Sequence, residues 1–467
     1  MDQPPLSKKS YHLIINVFAC PTVERYKNEL LKINETWRPT AEAMGVKVLF
    51  FFGEEQTEFI DDNYIYLPNI KNDYDSAAWK QYLGFKYIYE NYNAEFIYTC
   101  GTDTFINIKN LLSYLGTLEY GKKLYIGGHG TTRQVGNKCV YFHCGGAGMI
   151  ITNKILEELY PQLDILQDQW REICECNSVH WWIAASDVSM GYFLASESYA
   201  DGVETIKNIN FHSCNYLGYN CSGEHCCKDI INIDTLITCH HMSLTDFDNF
   251  QKILDNKLLC NKKYISLCDK PSDINEHLPT LHQLATECTS ILELGVRGVV
   301  SSWAFVNGLL HSNGCNNVNK PLLFLNDLEV CDISELLNTT KNLNIDIKHQ
   351  WINCLDLDFT NEGNTFDMVF IDTWHIYGQL KRELEKFSNI SNKYIVMHDT
   401  TVDEYEGETI RCGFNAQQQS EESGFLIEEI LQGLGKAIDE FLMNNPNWIL
   451  KKKYTNNNGL TILERVF

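Results

Sequence analysis

Short apolar runs alternate with segments of helical periodicity along most of the chain, which is a pattern typical of mixed α/β proteins. In the first half, two runs rich in aromatic and β-branched residues, 11–18 and 46–52, predict buried strands. Residues 22–44 and 79–92 repeat their apolar positions with helical spacing and predict helices. The carboxyl ends of such strands are where α/β sheets bind ligands.

The second half repeats this pattern but closes differently. Five apolar runs predict buried strands, at 290–294, 321–325, 345–354, 366–371 and 394–397. Two later runs, 448–454 and 460–467, flank an Asn-rich turn and predict an antiparallel hairpin. An antiparallel pair at the end of a parallel sheet distinguishes this half from an ordinary dinucleotide-binding sheet.

The chain changes character near its middle. Between residues 256 and 275 the periodicity is lost and the sequence becomes polar, with Pro271 as a breaker. At 467 residues the chain is long enough for two to three domains that each bury a core. We therefore predict two α/β domains, 1–255 and 278–467, joined by a linker at 256–277.

Composition and charge narrow the classes of partner. The formal net charge of −23 argues against a general binder of nucleic-acid backbones and against a polybasic membrane anchor. No run approaches the roughly twenty apolar residues of a membrane span, and the run at 13–19 is too short for a signal peptide. We therefore expect a cytoplasmic protein whose 18 cysteines are reduced. The cysteines between 174 and 239 lack Cys-x-x-Cys spacing, so we expect buried thiols there in preference to a zinc site.

The stretch at 291–305 has the features of a cofactor cradle. An apolar strand breaks at Gly295 and Gly298, and helical spacing resumes at once. Glycines let a ligand approach the backbone, and a helix start offers free N–H groups. The candidate polar contacts are Glu293 at the strand end, Ser302 in the helix and Asp327 after the next strand. The alternative is an ordinary strand-to-helix turn that binds no ligand.

Acids and histidines follow the later strands of the same half. Asp372 and His375 come directly after the run at 366–371, and His398 and Asp399 directly follow the next one. Two acids at the ends of neighbouring strands can hold Mg²⁺ or Mn²⁺, and either histidine can take a proton. The alternative is that the acids cap helices and that the histidines pack in the core.

Four segments of this half resemble the class I S-adenosylmethionine-dependent methyltransferases, in particular the O-methyltransferases of small molecules and sugars. They read ILELGVRGVVSSW, FDMVFIDTWHIYGQLKRELE, YIVMHDTT and NNNGLTILERV. The resemblance covers about residues 278–467 and implies S-adenosylmethionine as cofactor and a sugar hydroxyl as acceptor. It also implies Mg²⁺ or Mn²⁺ at Asp372 and Asp399, and contact between Asp356 and the adenine.

The first half carries its own candidate residues. Asp103 follows an apolar run, in the position of a ligand for a divalent cation or of a helix N-cap. Residues 144–149 form a loop of small residues where the backbone can approach a substrate. Asp187 and the pair His240 and His241 lie in two later segments.

These segments, in this order, resemble the inverting β-1,3-glycosyltransferases related to fringe and to the mucin-type galactosyltransferases. The matches are Arg25 with Glu35-Thr-Trp37, Gly101-Thr-Asp-Thr-Phe105, Gly145-Gly-Ala-Gly148, Asp187-Val-x-x-Gly191 and Cys239-His-His-Met-Ser243. The resemblance covers about residues 11–254 and implies a GT-A fold, a UDP-sugar donor, Mn²⁺ at Asp103 and His240, and Asp187 as general base. The sequence departs from the family's acids at Gly101, Thr102 and Ser186.

The two resemblances together imply a bifunctional enzyme of glycan assembly, which transfers a sugar with one half and O-methylates a sugar hydroxyl with the other. A first alternative keeps only the methyltransferase active, beside an inactive sugar-binding module, because two acids are replaced at Gly101 and Thr102. A second alternative is a non-enzymatic scaffold. A cytoplasmic location fits a bacterial surface-glycan pathway or the cytoplasm of a virus-infected host.

Overall fold

The chain folds into two compact units, Met1–Gln251 and Lys252–Phe467. The structure, a computed structural model, describes residues 8–196, 202–225, 231–312, 320–359 and 365–466. Each unit contains a seven-stranded sheet of its own, with helices along the chain between the strands. The chain is therefore a mixed α/β protein with two sheet-bearing regions.

The linker predicted at 256–277 differs from the structure in its first part. The helix Leu244–Asp269 runs through the polar stretch, and the division between the units falls inside it. Residues 244–269 contain neither glycine nor proline, so nothing in the backbone ends the helix earlier. The buried side chains of Phe247, Phe250 and Cys260 give this helix apolar contacts despite its polar composition.

The strands of the first unit are β1 (Lys9–Phe18), β2 (Lys47–Phe52), β3 (Tyr64–Tyr66), β4 (Tyr92–Cys100), β5 (Phe105–Ile106), β6 (Leu124–Gly127), β7 (Gly130–Val135), β8 (Lys138–His143), β9 (Met149–Thr152), β10 (Glu204–Lys207), β11 (Phe211–His212) and β12 (Thr238–Cys239). Seven form the main sheet in the order β3-β2-β1-β4-β9-β6-β10. β9 is antiparallel to both neighbours, and the other neighbouring pairs are parallel. Asp103, just after β4, therefore lies at the edge where the parallel strands end.

The helices of the first unit are α1 (Glu24–Glu35), α2 (Trp37–Ala43), α3 (Ala77–Asn91), α4 (Ile108–Leu115), α5 (Asn153–Leu159), α6 (Leu166–Cys176), α7 (Ser186–Gly191) and the first part of α8 (Leu244–Asp269). α1 and α2 replace the single helix predicted at 22–44. The break follows from Pro39, which has no N–H to donate to the carbonyl of Glu35 and whose ring crowds that carbonyl. Tyr82 and Phe85 of α3 pack in the core, as their spacing predicts.

The strands of the second unit are β13 (Ser290–Leu294), β14 (Leu322–Asp327), β15 (Asp346–Trp351), β16 (Phe366–Ile371), β17 (Ser391–His398), β18 (Trp448–Tyr454) and β19 (Leu460–Arg465). They form one sheet in the order β15-β14-β13-β16-β17-β19-β18. β13 to β17 are parallel, and β19 is antiparallel to both β17 and β18. The predicted hairpin is therefore present, and the ends of β13, β14, β16 and β17 share one edge.

The helices of the second unit are α9 (Leu278–Thr286), α10 (Val300–Leu309), α11 (Ser334–Thr340), α12 (Tyr377–Phe387), α13 (Glu408–Arg411), α14 (Ala416–Ser423), α15 (Ile427–Leu431) and α16 (Leu434–Asn444). α15 and α16 replace the single helix predicted at 427–443. The break lies at Gly433, where a Cβ atom would overlap the carbonyl oxygen of Asp403. The N–H of Leu434 donates to that same oxygen over 2.8 Å, so close approach of two backbones ends the first helix.

The structure bears on two expectations about the chain, the absence of a membrane span and the reduced state of the cysteines. Among the described residues, no helix has the length and apolar character needed to cross a membrane. Fourteen described cysteines are free thiols, whereas Cys214 is disulfide-bonded, so the expectation of reduced cysteines is wrong at that position. The candidate metal-binding groups among the described residues contain aspartate and histidine and no cysteine.

Candidate functional site

The turn between β13 and α10 is held by an acid from the neighbouring strand. Asp327 accepts hydrogen bonds through Oδ2 from the backbone N–H groups of Val296 (2.8 Å) and Arg297 (2.9 Å). Burial opposes the charge on Asp327, but these N–H donors outweigh it and lower the pKa of its carboxyl group. The predicted acid thus fixes the shape of the turn, and it also lines the cleft beside it.

The two glycines of this turn have different roles. Gly295 has a φ of +88°, and a Cβ atom there would overlap the carbonyl oxygen of Asp372. At Gly298 the nearest atom to such a Cβ is Cγ2 of Val300 at 3.7 Å, and φ is not in the left-handed region. Close backbone approach therefore requires glycine at 295 only. The left-handed residues of the turn that are not glycine are Arg297 and Val299.

Glu293 lies behind the turn, outside the cleft. Its side chain is fully buried and accepts hydrogen bonds from the hydroxyl groups of Ser301 and Ser302. Burial raises the pKa of Glu293 to about 8, against the opposing effect of these hydroxyl donors. Neither Glu293 nor Ser302 lines the cleft, so the structure places both predicted contacts beneath the helix start.

A cleft of about 1180 Å³ opens along the carboxyl ends of the parallel strands. The turn residues Gly295 to Gly298 and Asp327 line one end of it, and Asp372, His375 and Asp399 line its middle. Asp356 does not line it, because residues 354–356 form a short 3-10 turn that leaves this side chain exposed. The lining residues of that turn are instead Cys354 and Leu355.

Four predicted residues converge in the middle of the cleft. Oδ1 of Asp372 lies 3.2 Å from Nε2 of His375 and 3.3 Å from Nδ1 of His398. Oδ2 of Asp399 lies 3.1 Å from Nδ1 of His375. Asp403, which the sequence analysis missed, places Oδ2 3.3 Å from the same Nδ1 and is itself held by Arg411 over 2.6 and 2.9 Å. We call these five side chains, Asp372, His375, His398, Asp399 and Asp403, the acid–histidine cluster.

Of the two predicted proton acceptors, only His375 reaches the cleft. His398 is 2% exposed, and its Nε2 donates to the carbonyl oxygens of Asp273 (3.1 Å) and Asn457 (3.3 Å). Nδ1 of His398 therefore faces Asp372 and Asp399, where a second proton on the ring or a nearby cation would satisfy the charge of these carboxylates. Burial opposes the positive charge on His398, but these carboxylates outweigh it and raise its pKa.

The acid–histidine cluster fits a divalent cation. Two overlapping sets, Asp372 with His398 and Asp399, and His375 with Asp399 and Asp403, have ligand atoms within 4.8 Å of one another. Nδ1 of His375 and Oδ1 of Asp399 are buried and make no hydrogen bond of good geometry. Asp399 also has a left-handed φ of 57°, which a non-glycine residue adopts at some cost in strain. Oxygen and imidazole ligands suit Mn²⁺, and carboxylates suit Mg²⁺.

The first unit brings its predicted metal ligands together as well. Oδ2 of Asp103 lies 3.2 Å from Nε2 of His240 and 3.5 Å from Nη2 of Arg25. His241 offers a third ligand atom within 4.8 Å of the other two, and its φ of 55° turns the chain sharply there. Burial raises the pKa of Asp103, but the two histidines and Arg25 outweigh it and hold that pKa below its ordinary value.

The loop of small residues lies between Asp187 and His240. Oδ2 of Asp187 accepts from the N–H of Gly145 (2.9 Å), and Oδ1 accepts from its neighbour Val188 (2.8 Å). A Cβ atom at Gly146 would overlap the ring of His240, so the loop touches both side chains. Burial raises the pKa of Asp187, which suits a proton acceptor better than an ordinary aspartate.

A buried acid that the sequence analysis missed contacts Thr102, one of the positions where the sequence departs from the family's acids. Glu29 of α1 is 4% exposed and accepts a hydrogen bond from the hydroxyl of Thr102 over 2.5 Å. Nε of Arg25 donates to the other oxygen of Glu29 over 2.8 Å. A carboxylate therefore does lie beside Asp103, but it comes from a helix far away in sequence.

Comparisons with known proteins give matches among solved structures alone. No protein-family model matches the chain, and no curated protein matches it. An O-methyltransferase from Bacillus cereus, bound to SAH, is 15% identical with a TM-score of 0.28, and the match covers 47% of this chain and 90% of that one. The O-methyltransferase TomG from Streptomyces achromogenes, bound to SAM, is 13% identical with a TM-score of 0.28, and the match covers 46% and 90%. The SAH-bound methyltransferase PaMTH1 from Podospora anserina is 14% identical with a TM-score of 0.27, and the match covers 46% and 88%.

Proposed function

We propose that the second unit is an S-adenosylmethionine-dependent O-methyltransferase that acts on a sugar hydroxyl. The observation that carries this proposal is the joining of a glycine turn, pinned by Asp327, to the acid–histidine cluster within one cleft. Gly295 contacts the backbone of Asp372 directly, so a cofactor held at the turn lies next to the cluster. Ligands of parallel α/β sheets bind at this edge.

In this proposal, separate residues bind the cofactor, bind a cation and accept a proton. The turn from Gly295 to Gly298 and Asp327 would hold the cofactor, which supplies the methyl group when bound. Asp372 and Asp399 would hold a divalent cation, which would lower the pKa of the acceptor hydroxyl. His375, the one histidine of the cluster that lines the cleft, takes the proton that the hydroxyl gives up.

The charge state of His375 links the cation to this last step. Burial opposes the charge on His375, but Asp372 and Asp403 outweigh it and raise its pKa well above the ordinary value. This raised pKa favours the protonated imidazole, which is the form that cannot accept a further proton. A cation held by Asp372 and Asp399 would weaken the hold of the carboxylates on that proton and would favour the basic form of His375.

The test is calorimetric titration of the full-length protein with S-adenosylhomocysteine, followed by methylation assays with sugar acceptors, with Mn²⁺ or with EDTA. We expect binding of one equivalent of S-adenosylhomocysteine, and mass increases of one methyl group on the acceptor that require the metal. Absence of S-adenosylhomocysteine binding would contradict the proposal. It would also favour the alternative in which the chain is a non-enzymatic scaffold.

For the first unit we propose metal-dependent, inverting transfer of a sugar from a nucleotide donor. The pair Asp103 and His240 supports a Mn²⁺ site for the diphosphate of a UDP-sugar, and Asp187 lies across the loop from it as general base. Nucleotide release from a panel of sugar nucleotides, with and without Mn²⁺ and with sugar acceptors present, tests this. Release from no donor would favour a sugar-binding module beside an active methyltransferase.

A further inference from the structure

The cleft of the second unit extends beyond the acid–histidine cluster to a second end. We call it the aromatic end and define it by six lining residues, Trp374, Arg382, Phe414, Gln419, Glu422 and Phe425. The whole cleft, at about 1180 Å³, exceeds the range of about 300–1,000 Å³ that a single small ligand usually occupies. It has room for a second molecule beside a cofactor held at the glycine turn.

The residues of the aromatic end form one wall of the cleft, and backbone hydrogen bonds attach this wall to the loop that carries His375. The N–H of Glu408 donates to the carbonyl oxygen of His375 over 2.9 Å, and the N–H of Tyr377 donates to that of Gln432 over 2.8 Å. A small apolar cluster underlies the wall, formed by Ile376, Phe425 and Ile430 with Trp374 packed against it. A ligand on this wall is therefore held at a fixed place relative to His375.

Aromatic rings form the apolar part of the wall. The rings of Trp374 and Phe425 lie 5.7 Å apart, and the guanidinium group of Arg382 lies 4.4 Å from the centre of the Phe425 ring. Phe414 is 54% exposed even though it lines the cleft. Ring faces carry partial negative charge, so they attract the C–H groups of a ligand and gain from being covered.

The polar part of the wall disfavours anionic ligands. Both arginines that line the described part of the cleft are already paired, Arg382 with Glu429 (3.2 Å) and Arg297 with Asp273. Glu408 and Glu422 also line the cleft and repel a phosphate or a carboxylate. These carboxylates accept hydrogen bonds from hydroxyl groups. The hydroxyl of Thr409 donates to Oε1 of Gln419 over 2.7 Å, which directs the amide N–H groups of Gln419 away from it and leaves them to donate.

We propose that the aromatic end is the acceptor subsite and that it binds an uncharged sugar. A pyranose ring offers an apolar C–H face for Trp374 and Phe414, and a rim of hydroxyl groups for Glu422 and Gln419. This inference rests on the proposed methyltransferase function, and it adds the place and the charge class of the acceptor. A sugar phosphate and a uronic acid are the charged acceptors that these carboxylates disfavour, and a planar diphenol is the uncharged competitor that the experiment separates from a sugar.

The experiment compares full-length wild type with Phe414→Ala, Phe414→Tyr and the control Tyr405→Ala. Tyr405 is an equally large aromatic residue, 84% exposed, that does not line the cleft. Binding of the methyl glycosides of mannose, galactose and rhamnose is followed by saturation-transfer NMR, and binding of S-adenosylhomocysteine by calorimetry. Methylation of these glycosides, of glucuronic acid, of glucose 6-phosphate and of catechol is followed by mass spectrometry.

We expect neutral glycosides alone to bind and to accept a methyl group. Phe414→Ala should raise KM for the glycoside about three- to tenfold, with kcat and S-adenosylhomocysteine affinity unchanged. Phe414→Tyr should restore KM, and Tyr405→Ala should match wild type. Two results would overturn the subsite in a protein that binds S-adenosylhomocysteine. One is methylation of catechol or a charged sugar alone, and the other is an unchanged KM for the glycoside in Phe414→Ala. If the wild type binds the glycoside but not S-adenosylhomocysteine, and Phe414→Ala abolishes the glycoside binding, the subsite stands and the proposed function is removed. If the wild type binds neither the glycoside nor S-adenosylhomocysteine, both the subsite and the proposed function are removed.

Discussion

Gly295 and Asp372 are in direct backbone contact, because a Cβ atom at residue 295 would overlap the carbonyl oxygen of Asp372. The N–H of Asp372 also donates to the carbonyl of Leu294 over 2.8 Å, so the end of β16 is hydrogen-bonded to the start of the turn. This contact couples the proposed cofactor turn to the acid–histidine cluster. A change at Gly295 should therefore disturb both at once.

We predict that Gly295→Ala loses S-adenosylhomocysteine binding by at least tenfold and destabilises the protein by about 1–3 kcal/mol, since the new methyl group meets backbone and φ is +88°. Gly298→Ala is the matched control for stability, because a Cβ atom there makes only an ordinary van der Waals contact with Val300 and its φ is not in the left-handed region. Calorimetry and thermal unfolding of both variants measure the difference. Equal behaviour of the two variants would show that the contact with Asp372 does not matter.

We predict that Asp399→Asn abolishes metal-dependent methylation and weakens Mn²⁺ binding at least tenfold. Asp399 belongs to both sets of candidate ligands, and its Oδ1 makes no hydrogen bond of good geometry. The control is Asp346→Asn, because Asp346 is exposed at the other end of the parallel strands. Free Mn²⁺ is counted by electron paramagnetic resonance during titration. Normal methylation by Asp399→Asn would exclude a cation at this acid.

The residues of this site that could be predicted from the sequence are those that directly follow a buried parallel strand. Asp372 and Asp399 each follow a buried apolar run, and parallel strands bring such positions to one edge. Asp403 could not be predicted in this way, because it reaches His375 only through a left-handed turn at Asp399 that folds the chain back. In this turn the N–H of Asp403 donates a hydrogen bond to the carbonyl oxygen of Asp399 over 3.1 Å. Glu29 was missed for a related reason, since a helix contact far away in sequence brings it to Thr102.

The errors in the fold have local physical causes of the same kind. Pro39 and the backbone contact of Gly433 each split a helix whose apolar spacing continues past the break. Asp356 has the expected place in sequence, but a 3-10 turn points it outward. The periodicity of apolar residues indicates which face of an element is buried. It does not indicate where two backbones come into contact or in which direction a short turn orients a side chain.

We predict that Glu293 makes the protein less stable as pH rises from about 4.5 to about 8. The folded protein keeps the proton of Glu293 up to about pH 8, whereas the unfolded chain releases it near its ordinary value of 4.5. Over this interval the unfolded state binds fewer protons, so the free energy of unfolding falls with pH. Glu293→Gln removes this titration and should flatten the loss by a few kcal/mol. Denaturant midpoints of both proteins at pH 5 and pH 8 measure it, and parallel curves would contradict it.

We predict that Asp187→Asn abolishes sugar transfer by the first unit while the fold survives. The variant keeps an oxygen that can accept from the N–H of Gly145, so the loop stays in place, but an amide cannot take the proton of an acceptor hydroxyl. Its amide N–H₂ faces the N–H of Val188, which accounts for a loss of stability of about 1–2 kcal/mol. Asp168→Asn, at an exposed position of α6, is the matched control. Nucleotide release with the donor identified in the panel measures the effect, and turnover at the wild-type rate in Asp187→Asn would remove Asp187 from the proposed mechanism.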